Sequence, residues 1–154
     1  MDNNDLNNIE QMLGLKLPQA YREILLSYPF DIDANIYDRD LYQSAASVIE
    51  QNQMYRKSGF FGQKWPAHYL VIGSDAFGNL HFLDLTQPKC LVFFADHEDT
   101  AYSDTIEAEE EAANLSDWVK HMQEQAASFQ AQVEQLQRSA EERKRNKKWW
   151  QFWI

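Results

Sequence analysis

Two short apolar segments separated by a Gly-Asn turn constrain the fold of this 154-residue chain more than any other feature. The first segment is 69–73 (YLVIG), the second is 80–85 (LHFLDL), and the turn lies at 78–79. Apolar runs of this length on either side of turn residues are typical of β-hairpins. A third apolar run, 90–95, follows a turn that contains Pro88. The sequence therefore predicts an antiparallel meander of three strands.

Three helices are predicted before the strands. The first covers residues 5–13, with apolar residues on one face and a stop at Gly14. The second follows Pro18, which suits a first helical turn because its missing N–H has no intrahelical partner to lose. The third covers residues 41–55, with Asp40 as its N-cap. Helices followed by strands predict an α+β domain.

A long C-terminal helix is predicted from Ser116 to about Lys148. At about 1.5 Å per residue it would span on the order of 50 Å. We therefore expect a domain at 1–122 and a helical extension at 123–154. The apolar residues of this helix recur at steps of three, four and seven, a pattern that allows pairing with a second copy as a homodimer or folding back on the domain. They are Leu115, Trp118, Met122, Phe129, Val133 and Leu136.

Two of these patterns, residues 17–28 (LPQAYREILLSY) and the hairpin at 69–85, occur together on this chain. Together they resemble the SUKH superfamily, the fold of fungal cell-wall-synthesis regulators and of many bacterial toxin-immunity proteins. The resemblance covers about residues 9–122. It implies an α+β fold with helices packed on one antiparallel sheet, to which the long C-terminal helix is added. The family commonly has an aspartate at the position of Asp84, and we expect this carboxylate to accept backbone hydrogen bonds where its strand ends.

The resemblance also implies a function. It implies an immunity protein that binds a cognate secreted bacterial toxin and neutralises it by protein–protein contact. The fungal relatives imply an alternative, a non-catalytic scaffold or regulatory module with several partners at modest affinity.

The charge of the chain is strongly uneven. The net charge is −10, yet residues 138–154 contain six basic and two acidic residues, so residues 1–137 carry −14. An acidic body repels phosphate backbones, which argues against nucleic-acid binding through the main domain. It would instead steer a basic protein surface toward the domain. The cognate toxin domain is therefore expected to be basic, and a nuclease is the natural candidate.

Two acidic stretches, 31–40 and 96–111, are the candidate partner-binding segments. The second contains no lysine or arginine. Charged pairs at such a surface would mainly raise the association rate and enforce specificity, whereas a solvated surface without a partner is the alternative. The candidate partner-binding residues are Asp31, Asp33, Asp38, Asp96, Glu98, Asp99, Asp104 and Glu107.

The sequence offers no catalytic or metal-binding constellation. The histidines His68, His81, His97 and His121 are never three or four residues apart, and the paired ligand spacing of a zinc site that would use Cys90 is missing. No serine stands in a pattern that would activate it with a base. We therefore expect no enzyme, no metal and no cofactor.

Residues 143–154 form a basic tail that ends in aromatic residues. Such a segment could anchor at an anionic membrane surface, since tryptophan favours the interface and basic residues favour anionic lipids. Alternatively it could dock on protein, for which the acidic body offers a complementary surface. The candidate docking residues of the tail are Trp149, Trp150, Phe152 and Trp153.

The sequence also predicts a cytoplasmic location. Residues 1–5 lack the basic and apolar regions of a signal peptide. No apolar stretch approaches the ~20 residues that a membrane-spanning helix needs. Cys90 is the single cysteine, so no intramolecular disulfide can form.

Overall fold

The computed structural model describes residues 1–30 and 41–150, and the side chains of this part up to residue 145. The chain forms two compact units, Met1–Val119 and Lys120–Ile154. In the described part the elements are, in order, α1 (Asn3–Leu13), α2 (Gln19–Leu26), α3 (Ala45–Ser58), β1 (Tyr69–Ser74), β2 (Leu80–Asp84), β3 (Val92–Ala95), α4 (His97–Ala101), β4 (Ala108–Ala112) and α5 (Leu115–Trp150).

The strands of the described residues form one antiparallel sheet in the order β1-β2-β3-β4. The predicted fold class, an α+β domain with one antiparallel sheet and a long C-terminal helix, is confirmed. The predicted meander is longer than expected, because β4 and the short α4 lie in the acidic segment that the sequence predicted as a plain connection. The glutamates of β4 have low strand propensity, but the pairing of Glu109 with Phe94 of β3 decides the conformation.

Some helix boundaries differ from the predicted ones. The third helix begins at Ala45, later than predicted, and Ser44 is its N-cap. The predicted cap, Asp40, lies outside the described residues. The second helix follows Pro18 as predicted, with Pro18 as its N-cap. Gly14 ends α1 as predicted, with a left-handed φ of 64°.

One face of the sheet carries an aromatic cluster. Phe82 packs against Trp65, Tyr69 and Phe93, with ring centroids 4.4 to 5.4 Å apart. Phe60, from the segment that follows α3, adds an edge contact to Trp65 at 5.8 Å. Each such pair contributes about 1 kcal/mol beyond the burial of its apolar area. This cluster anchors the segment between α3 and β1 to the sheet.

On the other face, the buried side chains of His81 and Trp118 contact Glu111, whose own side chain stays partly exposed. The register between β3 and β4 skips Glu111, which makes it the extra residue of a β-bulge. A bulge redirects a side chain, and Glu111 Oε2 lies 2.8 Å from His81 Nδ1 and accepts a hydrogen bond of 2.8 Å from Trp118 Nε1. One carboxylate therefore joins β2, β4 and the first turns of α5.

A fully buried asparagine on α3 forms hydrogen bonds with the outer edge of β1. Asn52 Nδ2 donates to the carbonyl of Val71 at 2.8 Å, and Asn52 Oδ1 accepts from the N–H of Val71 at 2.8 Å. The same amide donates to the carbonyl of Val48 at 2.8 Å. Beside it, the N–H of Tyr42 donates to the carbonyl of Ile72 at 2.7 Å. These contacts pair both backbone groups of Val71 and the carbonyl of Ile72 at this edge.

A second side chain of α3 connects the helix to its neighbours. The guanidinium of Arg56 donates to the carbonyl of Leu13 at 2.8 Å and to the carbonyl of Ala67 at 3.1 Å. Burial lowers the pKa of Arg56, but arginine remains charged at any physiological pH. Arg56 therefore joins the end of α1 to the segment that leads into β1.

We predict that Asn52→Ala destabilises the protein by about 3 kcal/mol, because it leaves the N–H and C=O of Val71 buried without partners. Equilibrium urea unfolding of the variant and the parent protein measures the difference. Gln53→Ala, at an exposed position of the same helix, is the matched control and is expected to change stability by less than about 0.5 kcal/mol. Equal stabilities of the two variants would contradict this role of Asn52.

Candidate protein-binding surface

A tight turn between α3 and β1 presents Phe61 to solvent. Phe60 and Gln63 exchange two backbone hydrogen bonds, of 2.8 and 2.9 Å, and Phe61 and Gly62 between them have φ values of 44° and 88°. Turns of this kind usually contain Asn-Gly, because a bulky residue is strained in the left-handed region. Such strain is concentrated at functional sites. Phe61 is 52% exposed, so the free energy gained by burying part of its ring offsets only part of the backbone strain.

The position of this turn is fixed at both of its ends. Gly59 has a φ of 76°, and a Cβ at this position would collide with the carbonyl oxygen of Gln63. At the other end, Gln63 Nε2 donates to the carbonyl of Ser103 at 2.8 Å. The turn is therefore held against the segment that follows α4.

The turn between β1 and β2 presents a second phenylalanine, Phe77, which is 79% exposed. Asp75 Oδ1 accepts from the N–H groups of Phe77 and Asn79, both at 2.9 Å, and Asp75 Oδ2 accepts from Asn79 Nδ2 at 2.8 Å. Asn79 Oδ1 in turn accepts from the N–H of His97 at 3.0 Å and lies 2.6 Å from its Nδ1. These hydrogen bonds fix the turn to the start of α4.

The short α4 lies between these two turns. Asp96 is its N-cap and accepts from the N–H groups of Glu98 and Asp99 at 2.7 and 3.2 Å. Because the Asp96 carboxylate is used in this way, its first role is structural. Glu98 and Asp99 are exposed. The ring of His97, the first residue of α4, lies 5.3 Å from the ring of Phe61.

These three segments bring exposed aromatic and acidic side chains together at one end of the sheet. A third aromatic residue, Tyr102, follows α4 directly and is 94% exposed. Aromatic residues are enriched in protein interfaces, where they supply most of the binding energy. We call this region the aromatic–acidic surface, and it consists of Phe61, Phe77, Glu98, Asp99, Tyr102 and Asp104.

The acidic character continues along the neighbouring edge strand. Glu109 and Glu110 are exposed on β4, and residues 90–119 contain no lysine or arginine. Glu107 accepts hydrogen bonds from the hydroxyl groups of residues 103 and 105, so its carboxylate holds the loop before β4. Charges on an edge strand also oppose its pairing with a strand of another molecule. The surface therefore favours contact through side chains over added strands.

The predicted partner-binding residues fall into three groups. Those exposed on the aromatic–acidic surface are Glu98, Asp99 and Asp104. Those whose carboxylates hold local structure are Asp96 and Glu107. Those that lie outside the described residues are Asp31, Asp33 and Asp38.

The candidate residues of the tail are also outside the described side chains. The backbone of α5 extends to Trp150, but the side chains of Trp149 and Trp150 are not described. Phe152 and Trp153 lie beyond the described residues. The docking of this tail on protein or membrane stays a prediction.

Sequence reasoning missed the three aromatic residues of the surface. Phe61 and Phe77 each stand directly before a turn glycine, at 62 and 78. A phenylalanine at the tip of a tight turn cannot reach the core, so the dipeptide Phe-Gly was the available signal. Tyr102 has no comparable signal, because its exposure follows from where α4 ends.

Away from the aromatic–acidic surface in sequence, Asp84 supports local structure where β2 ends. Asp84 Oδ1 accepts from the N–H of Thr86 at 2.9 Å and from its hydroxyl at 2.6 Å, which confirms the role predicted for Asp84. Partial burial opposes the charged form, but the hydrogen bonds from Thr86, together with His68 and Gln87, keep the pKa of Asp84 below its usual value. Burial raises the pKa of the Cys90 thiol, and a protonated thiol is a poor nucleophile.

Two further observations concern metals and membranes. Within the described part of the chain, no three histidine, cysteine or carboxylate side chains gather as a metal ion would require. In the same part, no helix combines the length and the apolar character needed to cross a membrane.

Comparison with known protein families matches residues 1–121 to the SMI1 / KNR4 family (SUKH-1). No curated protein and no solved structure shows significant similarity. The matched range includes the whole sheet, α1 to α4 and the aromatic–acidic surface. It covers well over half of the 154 residues, and it confirms the resemblance derived from the sequence. The chain belongs to the SMI1 / KNR4 family (SUKH-1).

Proposed function

We propose that this protein is an immunity protein that binds a cognate secreted bacterial toxin and neutralises it by contact through the aromatic–acidic surface. Family membership supports a role in binding, since immunity and regulatory proteins of this family are generally non-catalytic. The observation that carries the proposal is the grouping of three exposed aromatic residues with a set of carboxylates that has no basic residue near it in sequence.

The surface is organised before any partner binds. Both turns and α4 are fixed by hydrogen bonds that the side chains of Asp75, Asn79 and Asp96 accept and that of Gln63 donates. A surface that is already ordered loses little conformational entropy on binding, and more of the contact energy remains as affinity. Tight inhibition of a toxin requires such an arrangement.

The chemistry of the surface specifies a partner with a basic, partly apolar face. Aromatic rings accept apolar contacts and stack with arginine guanidinium groups. The surrounding carboxylates would speed encounter with a positively charged domain and reject acidic ones. Nucleases that bind a phosphate backbone carry such basic surfaces, which makes a nuclease toxin the natural partner.

We predict that the tagged protein purifies from its native host with one stoichiometric partner that contains a toxin domain. Expression of that domain alone should stop growth, and co-expression of this protein should restore growth. A tagged, unrelated acidic protein of similar size is the control. Recovery of several unrelated partners, none of them toxic, would contradict the proposal and favour the alternative of a scaffold or regulatory module.

We predict that the paired substitution Glu98→Lys and Asp99→Lys slows association with the captured partner roughly tenfold at low salt, and less as salt rises. Surface plasmon resonance at several salt concentrations measures the rate. The matched control is Glu50→Lys with Glu124→Lys, which makes the same charge change on α3 and α5. Asp96 is left intact because it caps α4. Equal association rates of the two paired variants would show that this surface does not take part in the encounter with the partner.

We predict that Phe61→Asn weakens binding at least tenfold, mainly through faster dissociation, because the exposed ring is lost. Asparagine tolerates the left-handed φ, and relief of about 1 kcal/mol of strain offsets the lost contacts with Phe60 and His97. Urea unfolding should therefore show a stability close to that of the parent protein. Unchanged dissociation in a folded variant would remove Phe61 from the interface.

A further inference from the structure

The second unit of the chain contains a regular apolar seam on α5. Its apolar residues occupy alternate steps of four and three, the spacing of the a and d positions of a heptad repeat. Leu136 is 70% exposed, Ala126 and Ala140 are exposed as well, and Met122, Phe129 and Val133 are half-buried. The d positions of the seam are Met122, Phe129 and Leu136. The a positions are Ala126, Val133 and Ala140.

The residues that flank this seam carry no charge. In coiled coils the e and g positions select the partner through their charges. Here all of these positions between 122 and 140 are glutamine or serine, whereas the charged residues of this range fall at the outer b and f positions. Neutral flanks cause no repulsion between identical helices and give a different, charged helix nothing to recognise. The e and g residues are Gln123, Gln125, Gln130, Gln132, Gln137 and Ser139.

The sizes of the seam residues favour an antiparallel arrangement of two copies. In an antiparallel pair centred near residue 131, each d position faces an a position of the partner copy. The facing pairs are Met122 with Ala140, Phe129 with Val133, and Leu136 with Ala126. Every layer then combines a large and a small side chain, which fills the interface evenly. A parallel pair would instead stack alanine on alanine and phenylalanine on phenylalanine.

The charges beyond the seam favour the same orientation. Residues 143–148 contain five basic residues, and Arg143 and Lys147 continue the d and a positions. A parallel pair would bring both basic segments together at one end and place like charges in the seam itself. An antiparallel pair separates the two segments and also opposes the helix dipoles.

We propose that two copies of this chain associate through residues 122–140 of α5 as an antiparallel coiled coil. The proposal is independent of the toxin-binding role, because the seam lies outside the family-matched residues and outside the aromatic–acidic surface. In such a dimer each copy contributes its own aromatic–acidic surface, so that one dimer would hold two partner molecules.

Sedimentation equilibrium of the full chain over a range of concentrations tests the association. We expect the mass to rise with concentration toward twice the 18.1 kDa of one chain. Leu136→Asp should keep the chain monomeric, and Gln135→Asp, an equal charge placed on the outer c position, should dimerise like the parent protein. Circular dichroism checks that both variants keep their helix. A monomeric parent protein at its highest soluble concentration, or a Leu136→Asp variant that dimerises normally, would overturn the proposal.

Spin labels test the orientation. A single label is attached at Glu142→Cys in a Cys90→Ala background, and the distance between the two labels of the dimer is measured by pulsed electron resonance. Antiparallel pairing centred near residue 131 separates the labelled positions by about 33 Å along the helix axis, at 1.5 Å per residue. Parallel pairing places them side by side, with helix axes about 10 Å apart. The longer distance supports the proposal, and the shorter distance overturns it.

Discussion

The side-chain amide of Asn52 supplies both hydrogen bonds that the outer edge of β1 needs at Val71, and the organisation of the domain depends on this contact. It joins α3 to the sheet by polar groups of fixed geometry, where apolar packing alone would allow the helix to slide along the strand. Arg56, one turn further along α3, adds the link to the end of α1. The two edges of the sheet are thus protected differently, β1 by a buried amide and β4 by exposed glutamates.

The position of the proposed interface follows from this arrangement. With β1 fixed, its turn into β2 holds Phe77 outward, and the segment from α3 to β1 holds Phe61 outward in a strained conformation. Asn79 accepts a hydrogen bond from the first residue of α4, and Gln63 donates one to the segment that follows α4, so both turns are connected to this part of the chain. The positions of Phe61 and Phe77 on the aromatic–acidic surface therefore depend on the core, because both residues lie in turns that neighbouring elements hold in place.

Local sequence patterns predicted the elements whose ends are set by turn and helix-capping residues. The hairpin at 69–85 followed from its turn residues, and the end of α1 followed from Gly14. The strand β4 was missed because three consecutive glutamates become a strand only through pairing with distant β3. The role of Asn52 was not predicted, because helical periodicity does not indicate that a polar side chain will bind the free edge of a strand. Similarly, the run of acidic residues located Glu98 and Asp99, but it did not separate them from Asp96, which is a helix cap.

Hydrogen–deuterium exchange, compared between the free protein and the complex purified from its native host, tests the central claim most directly. The account predicts new protection at residues 59–63, at 75–79 and at 97–104, the three segments that form the aromatic–acidic surface. Exchange within β1 should stay slow in both states, because the core that fixes the surface does not change on binding. Protection confined to other parts of the chain, with these three segments unchanged, would contradict the account.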